Sequence, residues 1–148
     1  MKLTLIDDQC DLSIKKKQVK LLIDEVFLFK KISSTELIVH FVSKKEISEI
    51  HGKFFNDPTP TDCITFPFRE PKLLGEIFVC PKVAIEYSPE NAYSETTLYI
   101  IHAILHLIGF DDINSEDEIL MRKAEIEIMD HLTQKKLVLS NPSERYIG

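Results

Sequence analysis

The sequence has no tryptophan, only four glycines and three cysteines, and no apolar run near the length of a membrane span. A spanning helix needs roughly 20 consecutive apolar residues, so no membrane partner is expected. The opening stretch from Met1 to Asp7 lacks the long apolar core of a secretory signal, and a cytoplasmic protein is expected. Cys10, Cys63 and Cys80 are odd in number and far apart. They form neither a disulfide framework nor a CxxC pair and read as small apolar residues. An excess of basic charge is also missing. The net charge is −6, which at first argues against a phosphate-rich partner.

The average conceals a gradient. Residues 1–75 carry 12 Lys/Arg against 11 Asp/Glu, whereas residues 76–148 carry 6 against 13. A nucleic-acid backbone would therefore find Lys15, Lys16, Lys17, Lys20, Lys44, Lys45 and Lys53 away from the acidic half. On charge alone, however, lysines of this kind more often coat solvated helix faces. The length of 148 residues and the 44% apolar content fit one globular domain. Residues 1–136 are expected to form it. Residues 137–148, with Asn141-Pro142-Ser143, are expected to be a flexible tail.

Hydrophobic periodicity supplies the elements. Lys2–Ile6 alternates as a short strand, and Val19, Leu22, Ile23, Val26 and Phe27 mark an amphipathic helix over about 13–31. Residues 36–42 are apolar on both faces and β-branched, as a central strand should be. Ser43 and Glu46 have capping-box spacing before a helix carrying Ile47, Ile50 and Phe54. Strands are expected near 63–66 and 74–79. A helix over 94–108 ends at Gly109, and Ser115 with Glu118 opens the last helix, to about His131. The order β-α-β-α-β-β-α-α predicts an α+β fold, with one mixed sheet of about four strands and helices packed on it.

The chemistry lies at the end of the 94–108 helix. His102 and His106 are four residues apart and project from one face, so both imidazoles can reach one ion. Helix pairs of this kind also occur as satisfied, non-ligating histidines. Gly109 can turn the chain back and bring Asp111 or Asp112 to the same place; spacing does not choose between them. Two His and one carboxylate make a three-ligand set for zinc with a position left for water. A zinc protease would carry Glu directly after the first His. Ala103 stands there, which excludes that reading.

The run His102-Ala103-Ile104-Leu105-His106-Leu107-Ile108-Gly109-Phe110-Asp111-Asp112 resembles the YbeY-family motif His-Gly-x-Leu-His-Leu-x-Gly-Tyr/Phe-Asp-His. Pro60-Thr61-Asp62-Cys63-Ile64-Thr65-Phe66-Pro67 and Leu74-Gly75-Glu76-Ile77 are similar to two further blocks of that family, in the same order. The resemblance implies a cytosolic, single-strand-specific endoribonuclease that matures ribosomal RNA, notably the small-subunit 3′ end, and serves ribosome quality control. Its expected partners are ribosomal RNA and the small ribosomal subunit. Its expected cofactor is one divalent ion, zinc, on His102, His106 and the residue matching the third family histidine, Asp112.

Three departures qualify this picture. Asp112 adds a negative charge and alters metal preference. Phe55 occupies the place of a family arginine thought to assist cleavage or binding of RNA, for which Lys53 or Arg69 would have to substitute. Ala103 replaces a glycine, a minor change within a helix. Asp62, Glu76 and Asp111 are candidate proton carriers, and no catalytic base is assigned. His40, His51 and His131 are expected to be structural or solvated. Phe54, Phe55, Phe66 and Phe68 are expected in the core rather than as stacking surfaces. The alternative from another class is a ribosome-binding assembly factor with weak or lost nuclease activity. Hydrolysis of a small substrate at the same site is a third reading.

Overall fold

The structure, a computed structural model, describes residues 1–68 and 70–143. In chain order the elements are β1 (Lys2–Asp8), α1 (Lys16–Phe29), β2 (Glu36–Val42), α2 (Lys44–Phe55), β3 (Cys63–Pro67), β4 (Leu73–Val79), α3 (Pro81–Tyr87), α4 (Ala92–Leu107) and α5 (Ser115–Gln134). The strands lie in the order β1-β2-β4-β3, with β1, β2 and β4 parallel and β3 antiparallel to β4. The fold is the expected α+β, with a four-stranded mixed sheet.

Alternation within the strands decides which face is covered. Leu37, Val39 and Phe41 of β2 are fully buried, as are Ile77 and Val79 of β4. They join one core with Val19, Leu22, Ile23 and Val26 of α1 and Ile100, Ile101, Ile104 and Leu105 of α4. Burial of each such side chain contributes about 1.5–3 kcal/mol before entropy is counted. The opposite face is covered in part by α2, where Ile47 meets Val42, Ile64 and Cys80. His40 stacks on Phe78 on that side, with ring centroids 4.1 Å apart.

Local chemistry explains the ends. The Ser43 Oγ accepts the Glu46 N–H at 3.1 Å, as its spacing predicts. At the start of α5 the cap is Asn114, whose Oδ1 accepts the Asp117 N–H at 2.9 Å. Ser115, expected as the cap, lies one residue inside because the Asn amide already serves that donor. Helix α3 is an addition to the expected order. Its seven residues are too few to show periodicity, although Pro81 at its first turn is a helix-start signal.

The segment expected to begin a tail packs through Ser140. Leu139 is buried, its N–H donates to Thr97 Oγ1 at 3.1 Å, and the Ser140 N–H donates to Gln18 Oε1 at 3.1 Å. Three apolar residues carry no readable period, so only docking reveals their place. Residues 144–148 lie outside the described residues, as does Arg69. Among the described residues, no helix is long and apolar enough to cross a membrane.

Candidate metal centre

The end of α4 is built by its sequence to fold back on itself. Gly109 adopts φ +108°, a conformation that a side chain opposes. Its N–H donates to the His106 carbonyl at 3.2 Å, and the Phe110 N–H donates to the Leu105 carbonyl at 3.0 Å. This paired pattern is a Schellman turn. It carries the Phe110 carbonyl to within 3.1 Å of His106 Nδ1 and returns Asp112 towards both imidazoles.

The helix is also brought close to the sheet. A Cβ on Gly75 would lie 2.7 Å from a methyl of Leu107 and 2.8 Å from the Phe66 carbonyl oxygen. That position admits only a glycine at this spacing, which lets Leu107, the neighbour of His106, rest against β4.

Each histidine is oriented through Nδ1. Because a carbonyl only accepts, His106 Nδ1 donates to Phe110, and the lone pair of the neutral ring sits on Nε2. His102 Nδ1 lies 2.7 Å from Oε2 of Glu125 on α5. Burial alone would raise the Glu125 carboxyl, but hydrogen bonds from His102 and Arg122 hold it below its ordinary range. An ionised Glu125 accepts, so His102 likewise turns its lone pair to Nε2. Burial would lower His102, yet the Glu125 hydrogen bond and charge, with Asp62 and Asp112, outweigh it and raise the imidazole above its ordinary value.

The two Nε2 atoms are 3.0 Å apart. Two lone pairs so close repel unless a proton or cation lies between them. Asp112 completes the group, with Oδ2 3.7 Å from His102 Nε2 and Oδ1 3.9 Å from His106 Nε2. One donor atom from each residue lies within 4.8 Å of the others, so the three could hold a metal ion. For zinc–nitrogen bonds of 2.0–2.1 Å, tetrahedral ligands stand about 3.3 Å apart, a value the three observed separations bracket. The donor set therefore fits a small divalent ion.

Two clefts meet at this point. One is lined by Asp62, Tyr99, His102, Asp112, Arg122 and Glu125 among others. The other, about 470 Å³, is lined by His51, Phe55, Asp62, Cys63, Ile64, Thr65, His102, His106 and Asp112.

The structure separates the sequence candidates. Asp112, not Asp111, is brought to the histidines; Asp111 Oδ1 instead accepts the Ile113 N–H at 3.3 Å. Asp62 borders both clefts and accepts the Cys63 N–H at 2.7 Å. Glu76 lies against His40 and lines neither cleft. Burial, reinforced by Asp62, pushes the Cys63 thiol far up, so it is no nucleophile despite its place in the cleft. His131 is paired with Glu25 at 2.7 Å, while His51 Nδ1 donates to the Thr59 carbonyl at 2.8 Å and lies 3.9 Å from Asp57 Oδ2. Its ring borders the site all the same.

The expectation that the phenylalanines pack in the core fails at the end of α2 and at Phe68, which is exposed just after β3. Phe54 is 56% exposed and Phe55 is 52% exposed, because both follow the last buried turn of that helix. Two residues with roles at the site were missed by the sequence reading, Glu125 and Arg122. Glu125 had a readable signal. It falls on the buried stripe of Met121, Ala124, Ile128 and Leu132, where a carboxylate needs partners.

Comparison with known proteins identifies the family. A family model described as Endoribonuclease YbeY matches residues 5–133. A protein named Endoribonuclease YbeY from Protochlamydia amoebophila is 40% identical over 141 residues, covering 90% of this chain and 94% of that one. One of the same name from Chlamydia trachomatis serovar D is 31% identical, covering 90% and 89%. The solution structure of a Thermotoga maritima protein superposes with a TM-score of 0.60 at 28% identity, covering 95% of this chain and 97% of that one. Matched over most of its length by that family model and by relatives of 40% and 31% identity, the chain belongs to the YbeY endoribonuclease family.

Proposed function

We propose that this protein is a metal-dependent endoribonuclease, cytoplasmic, that cuts single-stranded RNA in maturing the small-subunit ribosomal RNA 3′ end and in ribosome quality control. The observation that carries the metal dependence is the pair of Nε2 atoms 3.0 Å apart, each freed by a donor bond at Nδ1 and joined by Asp112. His102, His106 and Asp112 would hold the ion, and zinc suits two imidazoles with one carboxylate. Such an ion supplies Lewis-acid activation of water and positive charge beside the phosphorus.

The remaining work falls to the chain. Glu125 keeps His102 in one tautomer and one orientation. Arg122 is the only Lys or Arg among the described residues lining either cleft. Its Nη1 donates to Glu125 Oε1 at 2.9 Å, and its side chain is otherwise largely exposed, which leaves donors for an RNA phosphate. Asp62, common to both clefts and outside the ligand set, is the carboxylate we propose would take a proton from the attacking water.

The test is metal content by elemental mass spectrometry for wild type, His106→Ala and Asp112→Ala, followed by cleavage of a single-stranded RNA. About one zinc per chain in the wild type, lost in both variants together with cleavage, is expected. A wild type that takes up no metal when zinc is supplied overturns the reading. Asp112 in the third position and an exposed Phe55 where the family arginine is expected favour one alternative, a ribosome-binding assembly factor with little nuclease activity. Tight binding to the small subunit by a metal-loaded protein that cuts no RNA would select it.

A further inference from the structure

Phe54 and Phe55 are the feature that neither the core nor the metal centre explains. Each is more than half exposed at the last turn of α2, and exposed adjacent aromatics lose the benefit of burial. They are nevertheless fixed. Phe54 meets Phe66 edge-on with centroids 5.1 Å apart, and Phe55 lies nearly parallel to Phe66 at 6.3 Å. Phe66 is braced in turn, at a right angle to Phe78 and 5.8 Å from it. Behind Phe55 stands His51, 5.6 Å away. Asn56 closes the helix in the left-handed conformation at φ 54°, which stops the chain immediately after the pair. The result is a rigid aromatic shelf, not a loose apolar tip.

Its position gives it a use. Phe55 lines the same cleft as His102, His106 and Asp112. That cleft has no Lys or Arg among the described residues lining it, so a strand entering from this side finds no basic side chain to grip its phosphates there. It finds π-faces. A base–aromatic contact needs no charge, is tolerant of sequence and is available to any unpaired nucleotide. Lys53, with its ammonium 5.4 Å from the centroid of the Phe54 ring, adds one cation at the outer rim.

We propose that Phe55, backed by Phe66 and flanked by Phe54, is a stacking subsite for an unpaired nucleobase next to the metal centre. The inference rests on the endoribonuclease reading for the identity of its ligand. The shelf holds a base on the α2 side while Arg122 meets a phosphate on the α5 side. Duplex RNA, whose bases are already stacked on one another, cannot use the shelf, so the subsite favours single strands.

The absence of tryptophan from the chain makes a direct test possible. Phe55→Trp creates a lone reporter whose emission a stacked base quenches. The probes are a short oligoadenylate and an abasic ribose-phosphate strand of the same length and charge, with the full chain held in chelator so that neither is cut. Oligoadenylate is expected to quench the Phe55→Trp emission, and the abasic strand is not. Phe55→Ala is expected to weaken oligoadenylate binding by about 5- to 150-fold, the range found for loss of one stacked base, and to leave abasic binding unchanged. Both substitutions are at an exposed position, and circular dichroism verifies the fold.

Equal quenching by the two strands, or unchanged oligoadenylate affinity in both Phe55→Ala and the Phe54→Ala/Phe55→Ala double variant, overturns the proposal and leaves the pair as a protein-docking surface. Cleavage by the metal-loaded wild type is scored separately. A protein that cuts RNA but binds it independently of Phe55 loses the shelf and keeps the nuclease. One that cuts nothing yet binds bases through Phe55 keeps the shelf and loses the nuclease.

Discussion

Glu125 Oε2 stands 2.7 Å from Nδ1 of His102, 23 residues away and on the next helix, with only 3% of its side chain exposed. A buried carboxylate survives only with full hydrogen bonding, and here His102 and Arg122 provide it. The same contact dictates which nitrogen of His102 faces the centre.

Glu125→Gln should therefore weaken metal binding while leaving His102, His106 and Asp112, the residues that would hold the ion, in place. An amide can turn its NH₂ towards Nδ1 and favour the wrong tautomer. The expected loss is about 10- to 100-fold in affinity, as for other partners of metal-bound histidines. Competition with a chromophoric chelator measures it. An unchanged affinity would show that Glu125 serves the fold alone.

The same pair predicts how the metal-free protein responds to pH. His102 is raised above its ordinary 6.5, so its contribution is fully present below about that pH and is lost as the pH rises through the raised folded value. Glu125 is lowered from its ordinary 4.5, so its contribution is present above that value and is lost as the pH falls through the lowered one. Urea unfolding of the chelated protein should show a stability plateau between these limits and a decline on both sides. Glu125→Gln should flatten both flanks and cost about 1.5–3 kcal/mol on the plateau. His102, were it to hold a zinc ion, would no longer bind that proton, so the alkaline decline should vanish when zinc is supplied.

Gly75 and Gly109 should each resist alanine, for opposite reasons. At Gly75 the obstacle is space, since the new Cβ would meet Leu107 and the backbone oxygen of Phe66. At Gly109 nothing lies within 4 Å, and the obstacle is the φ of +108°. Denaturant unfolding should show losses of about 1–3 kcal/mol in either case. Metal affinity distinguishes them. Gly109→Ala distorts the turn that carries the Phe110 carbonyl and Asp112, so it should lose metal more than its loss of stability explains.

Much of this molecule was legible in one dimension. The 3.6-residue period of Val19, Leu22, Ile23, Val26 and Phe27 announces α1 and its buried face. The two-sided apolar run 36–42 announces a strand in the middle of a sheet. The i, i+4 spacing of His102 and His106 puts two imidazoles on one side of a helix, and Gly109 marks the turn. These are local matters, governed by helix geometry and backbone sterics, and a short window of residues contains the whole cause.

What needed the tertiary structure involves partners distant in the chain. The choice of Asp112 over Asp111 depends on how a glycine turn closes against α4. The pairing of Glu125 with His102 depends on α5 packing beside α4, and the removal of Glu76 from the site depends on which sheet face carries it. Phe54 and Phe55 are as apolar as any core residue, and only the position of α2 at the rim of the sheet leaves them in water. Composition and period determine that a residue prefers burial or a face. Whether it obtains it is decided by which elements meet, and that is a property of the folded whole.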